Sequence, residues 1–372
     1  MTSAGDLDVR GTRVLLVLGT SAGGVVRHVA QIGEELASAG ALVRVAGPAS
    51  VSGSLGDLPW TEVPIAARPG PGDLPAIVRL RGVLGGADVV HAHGLRAGAF
   101  AVIAARTRRR RPRVVVTLHN LPVGGRAVRG ISEVLERVVA RGADAVLGVS
   151  GDLVERSRAR GARSAARALV PAPTTRVVAA DRAGVRTALG LAPEAALVLT
   201  VARLAPQKGL GTLLEAAGVL AGLAEGRDVT WCVAGGGPLL DGLRADAARL
   251  DAPVRFLGPR DDVPSLLTAA DVVVSTAVWE GQPIAVQEAL RAGCALVVTD
   301  AGGTREVVGD AAVLVPVDDP TAIATEVAAV LSDPLRAADL RRDALARAAS
   351  LPTPAAVLGQ LSQVYAGHHL RV

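Results

Sequence analysis

The sequence predicts an α/β chain of two domains, each a parallel sheet covered by helices. Three observations carry that expectation. At 372 residues the chain exceeds what one hydrophobic core usually serves. Short apolar runs alternate with helix-like segments along its length. That alternation breaks once, near the middle, at the proline-rich stretch Val170-Pro171-Ala172-Pro173-Thr174-Thr175. We therefore expect one Rossmann-like domain over residues 1–172 and a second over 173–353. A last helix, from about residue 354 to 372, could pack on either.

Taken in order, an apolar strand at Val14 to Leu18 leads into a loop of small residues, Gly19 to Gly24. An amphipathic helix then runs to about Ala39, where Gly40 stops it, and a strand at Leu42 to Val45 completes a βαβ unit. Further strands are expected near Val89-Val90, at Val114 to Leu118 and at Ala145 to Val149. Past the break the pattern restarts, with strands at Leu197 to Val201, Val229 to Ala234, Val254 to Leu257, Val272 to Ser275, Ala295 to Thr299 and Val313 to Val315. Runs this uniformly apolar suit parallel sheets buried on both faces.

Composition removes several function classes. Hydrophobic residues make up 50% of the chain and charged ones 20%, which argues against intrinsic disorder. No apolar run approaches the roughly 18 residues of a membrane span, and Met1-Thr2-Ser3-Ala4-Gly5-Asp6 does not read as a secretory leader, so a cytoplasmic protein is expected. Cys232 and Cys294 lie in apolar segments without metal-ligand spacing, which excludes a disulfide framework and a zinc site. Lys208 is the only lysine among 40 basic residues, and the only asparagine, Asn120, directly follows His119. In a background where lysine has given way to arginine, position 208 stands out as one that did not accept the exchange.

Charge is lopsided. Residues 1–175 hold ten more arginines than acidic residues, whereas 176–372 hold five more acidic than basic ones. The N-terminal excess includes Arg108-Arg109-Arg110-Arg111-Pro112-Arg113 and the series Arg126, Arg129, Arg137, Arg141. Such a face attracts phosphorylated small molecules or anionic lipid head groups, with peripheral contact at the inner membrane face as one outcome. A solvated surface that serves solubility is the competing reading. Nucleic acid is disfavoured, because aromatics at 2% leave no stacking platform.

The motifs narrow the chemistry. Gly19-Thr20-Ser21-Ala22-Gly23-Gly24 joins a strand to a helix N-terminus, where free amides and the helix dipole favour an anion. A turn that needs glycines explains the loop equally well. Its spacing is not G-x-G-x-x-G, and the next strand ends in Ala46-Gly47 without a ribose-binding acid, which disfavours a dinucleotide-dependent dehydrogenase. In Asp88-Val89-Val90-His91-Ala92-His93-Gly94, strand periodicity puts His91 and His93 on one face at the strand's C-terminal end. With no carboxylate or third histidine nearby in sequence, a polar wall or buried pair is preferred to a metal site. His119 ends another strand in the same way, whereas His28, in the first turn of the opening helix, reads as a packing residue.

In the second half, Val201-Ala202-Arg203-Leu204-Ala205-Pro206-Gln207-Lys208-Gly209 follows a strand and precedes a helix, so Arg203 and Lys208 could converge on a diphosphate. Ala234-Gly235-Gly236-Gly237-Pro238 is a further glycine turn, and Arg260 and Asp261 after the Phe256-Leu257-Gly258 strand are candidates for a base pocket. The most specific segment is Trp279-Glu280-Gly281-Gln282-Pro283-Ile284-Ala285-Val286-Gln287-Glu288-Ala289-Leu290. Glu280 falls in a loop and Glu288 about one turn inside the following helix, so the two can reach different hydroxyls of one ligand. Acidic residues near helix starts are common for dipole reasons, which accounts for either glutamate alone but not for the whole segment.

Glu280 to Glu288 resembles the E-x7-E motif of retaining glycosyltransferases of family four, which adopt the GT-B fold of two Rossmann-like domains with a cleft between them. Gly23-Gly24, His91-Ala92-His93, Thr117-Leu118-His119, Arg203 to Lys208-Gly209 and Ala301-Gly302-Gly303-Thr304-Arg305-Glu306 agree with that family in order. Pro171-Ala172-Pro173-Thr174-Thr175 departs from the Pro-Asn-Gly-Val-Asp often found at its hinge. The resemblance implies a hexosyltransferase whose C-terminal domain binds a nucleotide-diphosphate sugar and whose N-terminal domain holds a hydroxyl acceptor. The last helix would cross back to the N-terminal domain. Arg203, Lys208 and the Gly23-Gly24 amides would meet the leaving diphosphate. Glu288 would hold the ribose, Glu280 and Gly281 would border the donor sugar, and His119 would stand beside the reacting centre. No metal or other cofactor is expected. A non-catalytic nucleotide-sugar-binding homologue and a sugar-nucleotide epimerase of the same fold are the alternatives; retention of Arg203, Lys208, Glu280 and Glu288 favours the transferase.

Overall fold

Strands with apolar side chains on both faces must be covered on both faces, and the chain builds two such sheets. A computed structural model describes residues 9–20, 24–121, 126–171, 181–224 and 226–368. It divides into two units, Met1–Val170 with Pro352–Val372, and Pro171–Leu351. Most residues of the proline-rich break, and residues 369–372 of the expected last helix, lie outside the described residues.

The first unit holds a seven-stranded sheet of β1 (Arg13–Leu18), β2 (Leu42–Gly47), β3 (Trp60–Glu62), β4 (Val89–His93), β5 (Arg113–Leu118), β6 (Ala145–Gly148) and β7 (Ala165–Arg167). All pairs are parallel and the order is β3-β2-β1-β4-β5-β6-β7. The winding direction reverses between β1 and β4, and open α/β sheets bind ligands beyond the strand ends at such a switch point. The register places Leu18 beside His93, and His93 beside Thr117. The edge strands β3 and β7 are absent from the sequence expectation, because three residues at an edge need no apolar run.

The helix Pro354–Ala366 belongs to this unit. Thr353 caps its start by accepting from Ala356 N at 3.2 Å. Hydrogen bonds help to fix its place, among them Arg113 Nε donating to Val364 O (2.7 Å), Leu169 N to Gln360 Oε1 (3.0 Å) and Gln360 Nε2 to Arg167 O (2.8 Å).

The second unit holds a six-stranded parallel sheet of β8 (Ala196–Val201), β9 (Val229–Ala234), β10 (Val254–Gly258), β11 (Val272–Ser275), β12 (Leu296–Thr299) and β13 (Val313–Val315), ordered β10-β9-β8-β11-β12-β13. Successive residues of β8 feed opposite cores. Val198 packs with Trp231 and Leu213 on one side, and Leu197 and Leu199 pack with Cys232 and Leu266 on the other. Trp231 Nε1 is satisfied by Thr200 Oγ1 at 3.1 Å, and Thr200 in turn donates to Val274 O at 2.9 Å. Here the direction reverses between β8 and β11.

Candidate active site

The loops beyond β8 and β11 are drawn together by short polar contacts at that switch point. Val278 N donates to Gln207 O (2.9 Å) and Thr276 Oγ1 to Lys208 O (2.9 Å). The approach demands glycine at 209, whose φ is +59° and whose added Cβ would stand 2.0 Å from Thr276 O. On the other side Gly303 N donates to Glu280 O at 2.8 Å, and a Cβ on Gly302 would fall 2.2 Å from that same oxygen. The glycine-rich segment after β12 thus buttresses the loop that carries Glu280.

Held this way, Lys208 Nζ and Glu280 Oε1 form an ion pair across 72 residues of sequence. Glu280 is 7% exposed, and its partner is half-buried. Both line one pocket with Thr200, Ser275, Thr276 and Pro283, at the N-terminus of the helix Ile284–Arg291. The two charges that sequence assigned to separate ligand groups therefore contact each other. Gly281 is buried beside Glu280.

Other predicted residues stand apart from that pair. Arg203 is exposed just past β8, and among the described residues its guanidinium makes no hydrogen bond or ion pair. Glu288 is half-buried inside the helix Ile284–Arg291, where its charge acts on Arg291. Arg260 follows β10, two strands from β8, and grips Asp262 with two bonds of 2.7 and 2.6 Å. Neither Glu288 nor Arg260 lines the Lys208–Glu280 pocket. Gly24 is the exposed first residue of the helix Gly24–Ser38, and Gly23 lies outside the described residues.

The first unit gathers four histidines at its own switch point. His91 and His93 share a face of β4, with ring centroids 4.2 Å apart. His93 Nδ1 lies 3.1 Å from His119 Nε2. His91 is satisfied at both nitrogens, by Tyr365 Oη at 2.8 Å and Thr117 Oγ1 at 2.7 Å. His28, expected as a bystander or packing residue of the opening helix, is buried. What it packs on are His93 and His119, met edge-on at 6.2 and 5.8 Å. Tyr365 was missed, although it is the chain's sole tyrosine and the rarity that drew notice to Lys208 applies to it.

Burial holds these rings neutral. It pushes His28 down to about 4 and His91 to about 3, and it takes His93 and His119 well below the usual histidine range, with the neighbouring rings adding to the effect. Unfolded histidines bind protons near pH 6.5 while the folded ones do not, so stability is full above that value and falls as pH drops toward the folded-state values. Between pH 7.5 and 5 the melting temperature is expected to fall by on the order of 5 °C, and replacing His28 with leucine should reduce that dependence. Calorimetric melts across the range check this; a flat profile would contradict it.

Among the described residues no cluster of histidine, cysteine and carboxylate side chains has the arrangement of a metal site, and no helix is long and apolar enough to cross a membrane.

Comparison with known proteins places the chain. A glycosyl transferase 4-like domain matches residues 23–173, and the glycosyl transferases group 1 family matches residues 181–348. The phosphatidyl-myo-inositol mannosyltransferase of Mycolicibacterium smegmatis is 30% identical over 331 residues, covering 84% of this chain and 82% of that protein. D-inositol 3-phosphate glycosyltransferase 2 of Catenulispora acidiphila is 34% identical over 182 residues, 45% of this chain and 43% of that one. Among solved structures, Anabaena HepE in complex with UDP-glucose superposes with a TM-score of 0.78 at 21% identity, covering 95% of this chain and 99% of that chain. Sucrose-phosphate synthase from Thermosynechococcus elongatus gives 0.76 at 20%, covering 95% and 98%. At such identities these two speak for the fold alone, which is GT-B. The identity to the mannosyltransferase over most of both proteins, with a family match in each unit, shows that the chain belongs to the group 1 glycosyltransferases with a family-four-like N-terminal domain.

Proposed function

We propose that this glycosyltransferase moves a hexosyl unit, with retention of configuration, from a nucleoside-diphosphate sugar to a hydroxyl of an anionic or lipid-linked acceptor. The observation that carries the reading is the Lys208–Glu280 pair at the β8/β11 switch point, a cation and an acid at the sheet edge where α/β domains receive ligands. Lys208 and the uncommitted guanidinium of Arg203 neutralise the departing diphosphate, and the helix N-terminus at Gly24 adds backbone donors. Glu280 accepts from hydroxyls of the transferred sugar, Glu288 from the ribose, and Arg260 borders the base. His119 stands beside the reacting centre. The UDP-glucose in HepE and the mannosyl and inositol-phosphate chemistry named for the relatives support this class of donor and acceptor.

The test is a panel of UDP- and GDP-hexoses scored for nucleotide release, with phosphorylated and neutral polyols as acceptors and the product anomer read by NMR. Inversion of configuration, or no turnover of any donor, would overturn the proposal. Because cationic side chains and helix N-termini meet the diphosphate, we expect turnover to survive EDTA within about twofold. Loss on chelation with recovery on adding magnesium or manganese would assign the charge to a metal instead.

The acceptor reading has a surface to support it. On the helix Arg126–Gly142, Val128, Ile131 and Val134 are 47%, 44% and 57% exposed, and Arg129, Arg137 and Arg141 are exposed on the same helix. An apolar stripe beside arginines suits an anionic bilayer surface. Co-sedimentation with vesicles containing anionic lipid is expected at low salt and should weaken at higher salt, with neutral vesicles left behind. Equal indifference to both vesicle types would reduce the arginines to a solubility role.

A further inference from the structure

We infer that His93 sets the tautomer of His119, so that His119 turns a ring N–H, and not a bare lone pair, toward the transferred sugar. The functional half of this inference rests on the placement of His119 proposed above; the structural half is internal to the first unit. His93 closes β4 and His119 follows β5, the neighbouring strand. Their rings stack with centroids 5.4 Å apart and 25° between planes, and His93 Nδ1 faces His119 Nε2 at 3.1 Å.

Both rings are neutral, so one proton occupies that contact and two arrangements exist. If His93 Nδ1–H donates, its Nε2 is a bare lone pair, and His119 accepts at Nε2 and carries its own proton on Nδ1. If His119 Nε2–H donates, His93 must hold its proton on Nε2. That atom decides the matter. His93 is 1% exposed, and among the described residues its buried Nε2 has no hydrogen-bond partner. An orphaned buried N–H is rarer and costlier than an under-satisfied acceptor, which selects the first arrangement.

The described neighbours offer that nitrogen no alternative. His91, stacked against His93, uses both nitrogens on Tyr365 and Thr117, and His28 meets the ring only edge-on. His119 therefore also carries its proton on Nδ1, and it is half-buried where His93 is fully buried. A neutral histidine side chain in water prefers its proton on Nε2, so the fold inverts an intrinsic preference. An Nδ1–H donor can grip a sugar hydroxyl oxygen or oppose negative charge on the departing oxygen; it cannot act as a resting general base. His93 is then a positioning residue, acting through His119.

Long-range proton–nitrogen correlation spectra of the full chain, with nitrogen-15 in histidine and no ligand, read the tautomer directly, and His119→Asn assigns the signals. We expect Nδ1–H at His119 in the unmodified chain and in His93→Asn, whose amide N–H replaces Nδ1–H. His119 should move toward Nε2–H in His93→Leu and in His93→Gln, whose amide reaches the other ring position; the second variant serves if the first does not fold. With whichever UDP- or GDP-hexose of the panel is turned over, kcat should fall about tenfold in the Leu or Gln variant with little change in KM, and His93→Asn should restore most of it. Nε2–H at His119 in the unmodified chain overturns the inference whatever the activity. Unchanged turnover despite a moved proton overturns its functional half. If no UDP- or GDP-hexose of the panel is turned over while the spectra show Nδ1–H, the nucleotide-sugar reading fails and the tautomer assignment stands.

Discussion

Lys208→Arg is expected to lower kcat/KM for the sugar-nucleotide donor by on the order of a hundredfold while leaving the fold intact. The exchange keeps the charge, so an effect of this size must come from geometry. Lys208 ends the short turn Pro206–Lys208, its carbonyl accepts from Thr276 Oγ1, and the next residue is a left-handed glycine pressed against the β11 loop. Its backbone therefore cannot retreat to make room for a longer side chain. The ammonium is a compact point charge that meets Glu280, whereas a planar guanidinium would present two donors in a fixed fork to the same carboxylate. A bidentate Arg–Glu grip would hold the cation on the acid and away from a diphosphate. Stability should hardly change, because the charge pairing with Glu280 is kept. Donor kinetics beside a thermal melt make the measurement, and near-normal turnover would remove Lys208 from the diphosphate site.

The residues behind that prediction were legible in sequence one by one, but their contact was not. Lys208 stood out by rarity and Glu280 by its motif. What joins them is the return of the chain to β11 on the far side of β8, a fact of sheet order that no local pattern records. Period-two alternation did place His91 and His93 on one face, since both belong to a single strand. His28 escaped the same logic, because its meeting with His93 and His119 depends on how a helix packs over two other elements. The long buried strands announce themselves as apolar runs, while β3, reading Trp60-Thr61-Glu62, lacks the burial that would force such a run. Arg260 shows another limit: a cation after a strand suggested a base pocket, but its two-bond engagement with Asp262, two residues on, is a side-chain contact that the local pattern does not record.

The two glutamates of the motif should part company when each is replaced by alanine. Glu288→Ala is expected to weaken binding of free UDP or GDP about tenfold, the effect of losing a charged acceptor from the ribose hydroxyls. Glu280→Ala should instead spare or tighten free-nucleotide binding and lower turnover of the sugar nucleotide by on the order of a hundredfold. The opposite signs follow from the ion pair. Glu280 competes with a diphosphate for the Lys208 ammonium, so its removal frees the cation while deleting the group that holds the transferred sugar. A stability cost of about 1–3 kcal/mol should accompany Glu280→Ala, because a partly buried ammonium loses its partner, and Glu280→Gln should recover part of it through a neutral hydrogen bond. Calorimetric titration of both alanine variants with UDP and GDP, set beside donor turnover, separates the roles. Equal losses of nucleotide affinity would mean that both carboxylates serve the nucleotide, and the assignment of Glu280 to the sugar would fall.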